Sequence, residues 1–187
     1  MSLLTCEPLP TRESRSGPYK QFIEQHQRSV RDFYDALGER QLDWNERFGY
    51  FRERLNRLIR HFVMPGSRVL DLGCGTGDLL EALGPSRGVG VDCSGKMIDL
   101  AQRRHPNLTF AVGYGESLGE ADVPDGPYDY ITLVNVIGEM SDIGTTLRQL
   151  HRYCSAHTRI IIVQYNYLWE PICRLAARLG LKLDNPT

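Results

Sequence analysis

The 187-residue sequence contains no apolar run approaching the roughly 18–20 residues that a helix needs to cross a bilayer. Its first residues, MSLLTCEPLPTRESRSG, have neither the basic nor the apolar segment of a secretory signal. These absences predict a cytoplasmic protein with no membrane partner. A basic excess is missing too: 22 Lys and Arg stand against 23 Asp and Glu, for a formal net charge of -1. A general polyanion-binding surface needs such an excess, so nucleic acid is not an expected partner. Cysteine is sparse, with five residues (Cys6, Cys74, Cys93, Cys154, Cys173), odd in number and without CxxC spacing. That pattern points to neither a disulfide framework nor a zinc site, and no metal is expected. There is no internal repeat and no low-complexity tract.

What is present has the balance of one globular domain able to bury a core, with 41% hydrophobic and 24% charged residues. Residues 1–17 are polar and aperiodic and are expected to form a disordered leader. Over 18–66, apolar residues recur at three- and four-residue steps (Phe22, Ile23, Val30, Phe33, Leu37, then Phe48, Phe51, Leu55, Leu58, Ile59, Phe62), which predicts amphipathic helices broken near Gly38. Arg52, Arg54, Arg57 and Arg60, interrupted by Glu53 and followed by His61, read as the solvated side of such a helix. Residues 67–187 then alternate: strand 68–72, helix 77–83, strand 87–91, helix 94–104, strand 108–112, strand 128–136, helix 141–153 and strand 158–165. This order predicts an α/β fold, a Rossmann-like, doubly wound, mainly parallel sheet of about five strands with helices on both faces.

The stretch VLDLGCGTGDL, residues 69–79, has the form of a strand that ends against a ligand. Such a turn brings backbone N–H groups and the start of a helix to the ligand, and its missing Cβ atoms permit close approach. A dinucleotide fingerprint read from Gly73 requires glycine or alanine at position 78, where Asp78 stands. Asp78 and Asp71 place negative charge beside the loop, which disfavours a pyrophosphate and favours a cationic ligand without phosphate. Twenty-one residues beyond Asp71, Asp92 ends the next strand. Its two acceptor oxygens suit the paired hydroxyls of a ribose, while capping the following helix is the alternative role for a short acid there. Asp71, likewise, either faces the ligand or caps a turn.

Residues 69–77, Val-Leu-Asp-Leu-Gly-Cys-Gly-Thr-Gly, complete the first motif of a known family, and the sequence resembles the class I S-adenosylmethionine-dependent methyltransferases. The likeness extends in order through GVGVDCSGKM, through PDGPYDYITLVNVI with Asp129 at its start, and through LRQLHRYCSAHTRIIIVQ, covering about residues 50–165. It implies S-adenosyl-L-methionine as cofactor, S-adenosyl-L-homocysteine as product, and a small-molecule methyl acceptor. It implies cofactor contacts at Asp71, Gly73, Cys74, Gly75, Gly77, Asp92 and Cys93, with Cys74 a small filler of the loop rather than a nucleophile. It places Met97 on the adenine face, where ordinary helix core is the other reading, and Asn135 beside the cofactor. Tyr34 resembles a lid tyrosine that precedes the domain in small-molecule members, with helix core again the alternative.

Two departures and one extension matter. Family members often carry Gly-Asp-Ala after the third strand, the acid accepting from the adenine amino group, whereas this chain has Gly113-Tyr114-Gly115-Glu116. Either Glu116 turns back to take that bond or Gly115 and Glu116 supply backbone contacts. The N/D-P-P-Y/F motif is absent, and Glu139 is the candidate catalytic base or acceptor-binding group, against the reading of a surface carboxylate. Gln164, Tyr165 and Asn166 are candidates for the acceptor pocket. After strand 158–165 only a helical stretch near Trp169–Leu179 follows, so the family's C-terminal hairpin is expected to be lacking, with the natural protein expected to continue past Thr187 and a fused C-terminal domain as a candidate partner. A noncatalytic cofactor-binding or scaffold domain of a larger enzyme is the alternative function. An NAD-dependent oxidoreductase is disfavoured by Asp78.

Overall fold

Five short strands rich in valine, leucine and isoleucine pair in parallel in the order β3-β2-β1-β4-β5: β1 (Arg68–Leu72), β2 (Arg87–Asp92), β3 (Thr109–Val112), β4 (Tyr130–Val134) and β5 (Arg159–Val163). The structure, a computed structural model, describes residues 17–38, 40–42, 49–121 and 123–165. The expected leader through residue 16, Phe48, Asn166, the stretch 169–179 and the C-terminal hairpin question lie outside the described residues. None of the described helices is long and apolar enough to cross a membrane.

The strands read as nearly continuous apolar runs because both sheet faces are covered, as parallel sheets require. On one face Leu70, Leu72, Val89, Val91, Ile131 and Leu133 pack with Leu118, Leu150 and Tyr153, from a 3-10 turn over Gly115–Glu120, α5 (Ile143–Leu150) and a 3-10 turn over His151–Tyr153. On the other, Val69, Phe110 and Tyr130 pack with residues of α2 (Gly49–Arg60), α3 (Asp78–Leu83) and α4 (Gly95–Arg104), among them Ile59, Leu80, Leu83 and Ile98. This is the doubly wound architecture expected. The expected helix over 141–153 is divided because Asp142 caps α5, accepting from Thr145 N at 2.8 Å, and a tighter turn follows Leu150. The strand expected over 128–136 is shortened at its end, where Asn135 turns out of the extended region with φ 55°.

Asp129 sits at the start of β4, at the opposite end from the glycine loop. It accepts from Arg68 N at 2.8 Å and pairs with the Arg68 guanidinium at 3.1 Å, fixing β4 against β1. The order of strands reverses between β1 and β4, so the connections leaving their C-terminal ends run to opposite sides and leave a crevice between them. Over that end lies α1 (Pro18–Leu37), where Leu37 packs with Met97 and Leu100 of α4 and Asp35 accepts from Ser94 Oγ at 2.6 Å.

Candidate functional site

A cavity of about 300 Å³ occupies the crevice. Its wall brings together Tyr34, Asp71, Gly73, Cys74, Gly75, Asp92, Cys93, Met97, Gly115, Glu116, Asn135 and Glu139 from α1, the ends of β1, β2 and β4, α4 and the turn after β3. Gly77 does not reach it, and neither do Gln164 and Tyr165, the described candidates for the acceptor pocket. The left-handed backbone of Gly77 (φ 76°) caps the start of α3, and a Cβ there would stand 2.7 Å from the Phe110 ring. Gly73 (φ 76°) is closed off as well, since a Cβ would collide with the Val136 side chain. Gly75 (φ 52°) differs: a Cβ there meets nothing within 4 Å. The three glycines thus serve a strand exit, an open cradle and a helix start.

The loop's N–H groups do not point at a ligand as the sequence suggests. Those of Gly73 and Cys74 both donate to Val91 O, at 2.7 and 3.0 Å; that of Gly77 donates to Cys74 O at 3.0 Å; and that of Gly75 donates to Asp92 Oδ2 at 2.9 Å. The end of β2 therefore absorbs three donors that a phosphate would need, and the loop itself a fourth. Asp78 is also corrected. It does not reach the cavity, and its carboxylate is shared by Arg52 (2.9 Å), Arg104 (2.9 Å), His105 (3.0 Å) and Thr76 (2.9 Å). Against the cost of burial, the His105 hydrogen bond and the two guanidinium groups hold its pKa below the ordinary carboxylate value. The charge that repels a pyrophosphate thus comes from other acids, and the missing donors weigh more.

Asp71 is 2% exposed. Its register partner on β4 is Thr132, whose hydroxyl donates to Asp71 Oδ1 at 2.6 Å. Burial pushes the Asp71 pKa up to about 7; the Thr132 bond opposes this and the nearby Asp92 charge adds to it. Asp92 does not cap the following helix: Ser94 does, its hydroxyl accepting from Met97 N at 3.1 Å, while Asp92 accepts from Ser94 N at 2.9 Å as well as from Gly75 N. Burial raises its pKa against the pull of those two N–H groups. An ionised carboxyl has about four lone-pair sites, so these bonds leave acceptor capacity toward the cavity. Cys74 and Cys93 are driven upward by burial, Cys93 to about 12 and Cys74 also well above its ordinary value. Both are therefore thiols at neutral pH, which agrees with Cys74 as a filler.

Glu116 accepts from Ser141 N (2.8 Å) and Asp142 N (3.1 Å) through Oε1 and from Gln27 Nε2 (3.2 Å) through Oε2. It ties the turn after β3 to the loop after β4 and to α1, so its carboxylate is engaged by the protein rather than held open for an adenine amino group. Tyr114, also on the wall, bonds with Arg31.

Glu139 is half-buried at the β4 end, and burial raises its pKa while His26 opposes the rise. His26 Nε2 also meets Glu139 O at 3.2 Å. Tyr34 stands close enough for the Glu139 charge, second to burial, to raise its pKa. Asn135 holds its left-handed backbone while its side-chain oxygen accepts from Tyr165 N at 3.2 Å. Among the wall residues that sequence reasoning did not single out for the site are two with long-range polar partners. Arg52 reads in the sequence as a solvated helix position and Gln27 carries no signal of its own, and their partners lie 26 and 89 residues away, beyond any periodic signal. Among the described residues no group of three or more His, Cys, Asp or Glu could hold a metal ion.

Residues 24–184 match a family model described as a methyltransferase domain. Over 118 residues the chain is 35% identical to the 2-phytyl-1,4-naphtoquinone methyltransferase of Synechococcus elongatus, covering 59% of this chain and 51% of that protein. Over 164 residues it is 28% identical to the demethylmenaquinone methyltransferase of Lysinibacillus sphaericus, covering 84% and 68%. The chain thus spans about half the length of the first of these relatives. A Pyrococcus horikoshii protein, PH0226, superposes with a TM-score of 0.51 at 26% identity, covering 70% of this chain and 63% of that one. The putative methyltransferase solved with the Haloferax volcanii Trm112 activator superposes at 0.58 and 25% identity, covering 74% and 66%.

Proposed function

The chain belongs to the methyltransferase-domain family, and from that premise we propose that it binds S-adenosylmethionine in the crevice and methylates a small aromatic acceptor of the quinone class. The observation that carries the cofactor reading is the glycine loop. The N–H groups of Gly73, Cys74 and Gly75 are spent on the end of β2 and that of Gly77 on Cys74 O, leaving little for a phosphate, while Gly75 offers an open cradle beside the buried Asp71 and the half-buried Asp92. A cationic nucleoside without phosphate suits that cradle. NAD does not.

When bound, S-adenosylmethionine supplies a methyl group on a sulfonium, open to in-line attack. The residues of the chain hold and orient the reactants. Asp92 presents its remaining acceptor positions to the ribose, and Met97 and Tyr114 flank the space for the base. Aligning the acceptor with the methyl group supplies much of the acceleration in such a transfer. A base is needed only when the acceptor must shed a proton, and Glu139, with its pKa raised by burial, is suited to take one. Tyr34, Val30 and Met140 give the acceptor side apolar walls fit for a ring. The quinone class is taken from the printed activities of the two curated relatives.

Labelled methyl transfer from S-adenosylmethionine to a demethylated naphthoquinol tests the proposal. Transfer is expected, and Glu139→Gln is expected to lower kcat by about tenfold or more, the scale of general-base catalysis, with cofactor Kd little changed. Transfer unaffected by Glu139→Gln removes the base from the account, and no transfer to any quinol removes the acceptor class.

A further inference from the structure

Glu139 ends a 3-10 turn over Ile137–Glu139, just after β4, and the residues that follow it are held from outside their own loop. Ser141 N and Asp142 N donate to Glu116, and Tyr19 Oη donates to Asp142 Oδ2 at 3.1 Å. At Glu139 itself the holder is His26 of α1, 113 residues away in the chain, whose Nε2 lies 3.2 Å from the Glu139 carbonyl oxygen. A carbonyl only accepts, so Nε2 carries the proton in this contact, and the bond is open to both the neutral and the charged imidazole. We propose that His26 is a positioning residue for Glu139: its Nε2–H fixes the end of the turn and so aims the carboxylate at the acceptor side of the cavity, an inference that rests on the reading of Glu139 as the base.

The imidazole is itself held in place. It is half-buried and stacks on Phe22, one helical turn earlier, with ring centroids 6.3 Å apart. His26 is not on the cavity wall, although Gln27, Val30 and Tyr34 of the same helix are, so it meets the backbone of Glu139 rather than the reactants. Charge supports the role as well. Against the rise from burial, His26 lowers the Glu139 pKa, so an imidazolium there favours the carboxylate form, the one able to take a proton. The other titratable groups around the contact are Tyr34 of α1, which feels the Glu139 charge, Glu116 of the turn after β3, bonded to Gln27, and Asp142 of the loop, bonded to Tyr19. All three are acids, and His26 supplies the cation among them.

Labelled methyl transfer to a demethylated naphthoquinol tests this in wild type, His26→Leu, His26→Gln, Glu139→Gln and the double variant of His26→Leu with Glu139→Gln. His26→Leu is expected to lower kcat by about tenfold, less than the roughly hundredfold that a misplacement of about 1 Å can cost, with the Kd of S-adenosylmethionine unchanged. His26→Gln keeps a side-chain N–H donor and is expected to recover most of that loss. In the double variant His26→Leu is expected to add nothing to Glu139→Gln, because it acts through that carboxylate. A double variant that shows the full product of both effects, or His26→Gln as slow as His26→Leu, overturns the proposal and leaves Glu139 as the base. Glu139→Gln with wild-type kcat overturns the base reading and the proposal with it. A second measurement needs no acceptor: the titration of the Glu139 carboxyl carbon, followed by NMR and assigned by its loss in Glu139→Gln. It is expected to lie higher in His26→Leu and His26→Gln than in wild type, because both lack the imidazolium, and an unmoved titration overturns the proposal even where no quinol is turned over.

Discussion

The Asp92 carboxylate joins two elements: Oδ2 accepts the N–H of Gly75 and Oδ1 accepts the N–H of Ser94, each at 2.9 Å. One side chain thus holds the glycine loop to the N-terminus of α4 while facing the cavity. Its removal should therefore act on folding and binding together. Asp92→Ala is expected to lower stability by about 1–3 kcal/mol, because two N–H groups lose a charged acceptor, and to weaken S-adenosylmethionine binding by a similar amount. Denaturant unfolding and calorimetry check both. A variant with unchanged stability contradicts the bridging role.

Asp71 predicts a pH dependence of opposite sign to that of a salt-bridged acid. Below about 3.8 the native and unfolded states both hold the proton, and the carboxyl contributes nothing. Between 3.8 and about 7 the unfolded chain has lost the proton and the native one retains it, so stability falls as pH rises. Above 7 the loss is complete. Asp71→Asn keeps an oxygen for the Thr132 hydroxyl and removes the ionisation. The Tm of Asp71→Asn relative to wild type is expected to rise from pH 4 to pH 8, and a flat difference would contradict the raised pKa.

The loop glycines are expected to fail in different ways. Gly73→Ala forces a Cβ into Val136 from a left-handed backbone, so a loss of about 1–3 kcal/mol from overpacking alone is expected on denaturation. Gly75→Ala meets no protein atom within 4 Å, and its cost in folding is limited to the backbone. Its larger effect is expected in calorimetry, as weakened cofactor binding. Equal effects of the two substitutions on both readouts would remove the distinction.

Glu116 is expected to behave as a clamp. Glu116→Ala leaves Ser141 N and Asp142 N without their acceptor and frees Gln27, so lower stability and faster amide exchange over residues 137–142 are expected. Discrimination between S-adenosylmethionine and its analogue with the adenine amino group replaced by oxygen is expected to remain as in wild type. A narrowed gap would return the adenine contact to Glu116.

Local signals made most of this protein legible. The β1 motif, the acid ending β2 and the alternation of strands and helices all depend on near neighbours, and they lead to the sheet and to twelve wall residues. The glycine pattern alone was ambiguous about direction, because spacing does not tell whether a loop N–H faces a ligand or the neighbouring strand. The bonds to Val91 O and Asp92 decide that. Arg52 was legible only as a helix-surface residue and Gln27 not at all, since nothing local to them foretells Asp78 or Glu116. The role of Glu116 was open for a related reason: its partners Ser141 and Asp142 come from a loop that only the β4–β1 pairing brings near.

The central claim is that the crevice takes a cationic nucleoside and refuses a dinucleotide. Calorimetric titration of the chain with S-adenosylmethionine, S-adenosylhomocysteine and NAD tests it directly. Saturable binding of both nucleosides at one site per chain, with no heat from NAD, is the expected result. Saturable NAD binding with no response to either nucleoside would contradict it.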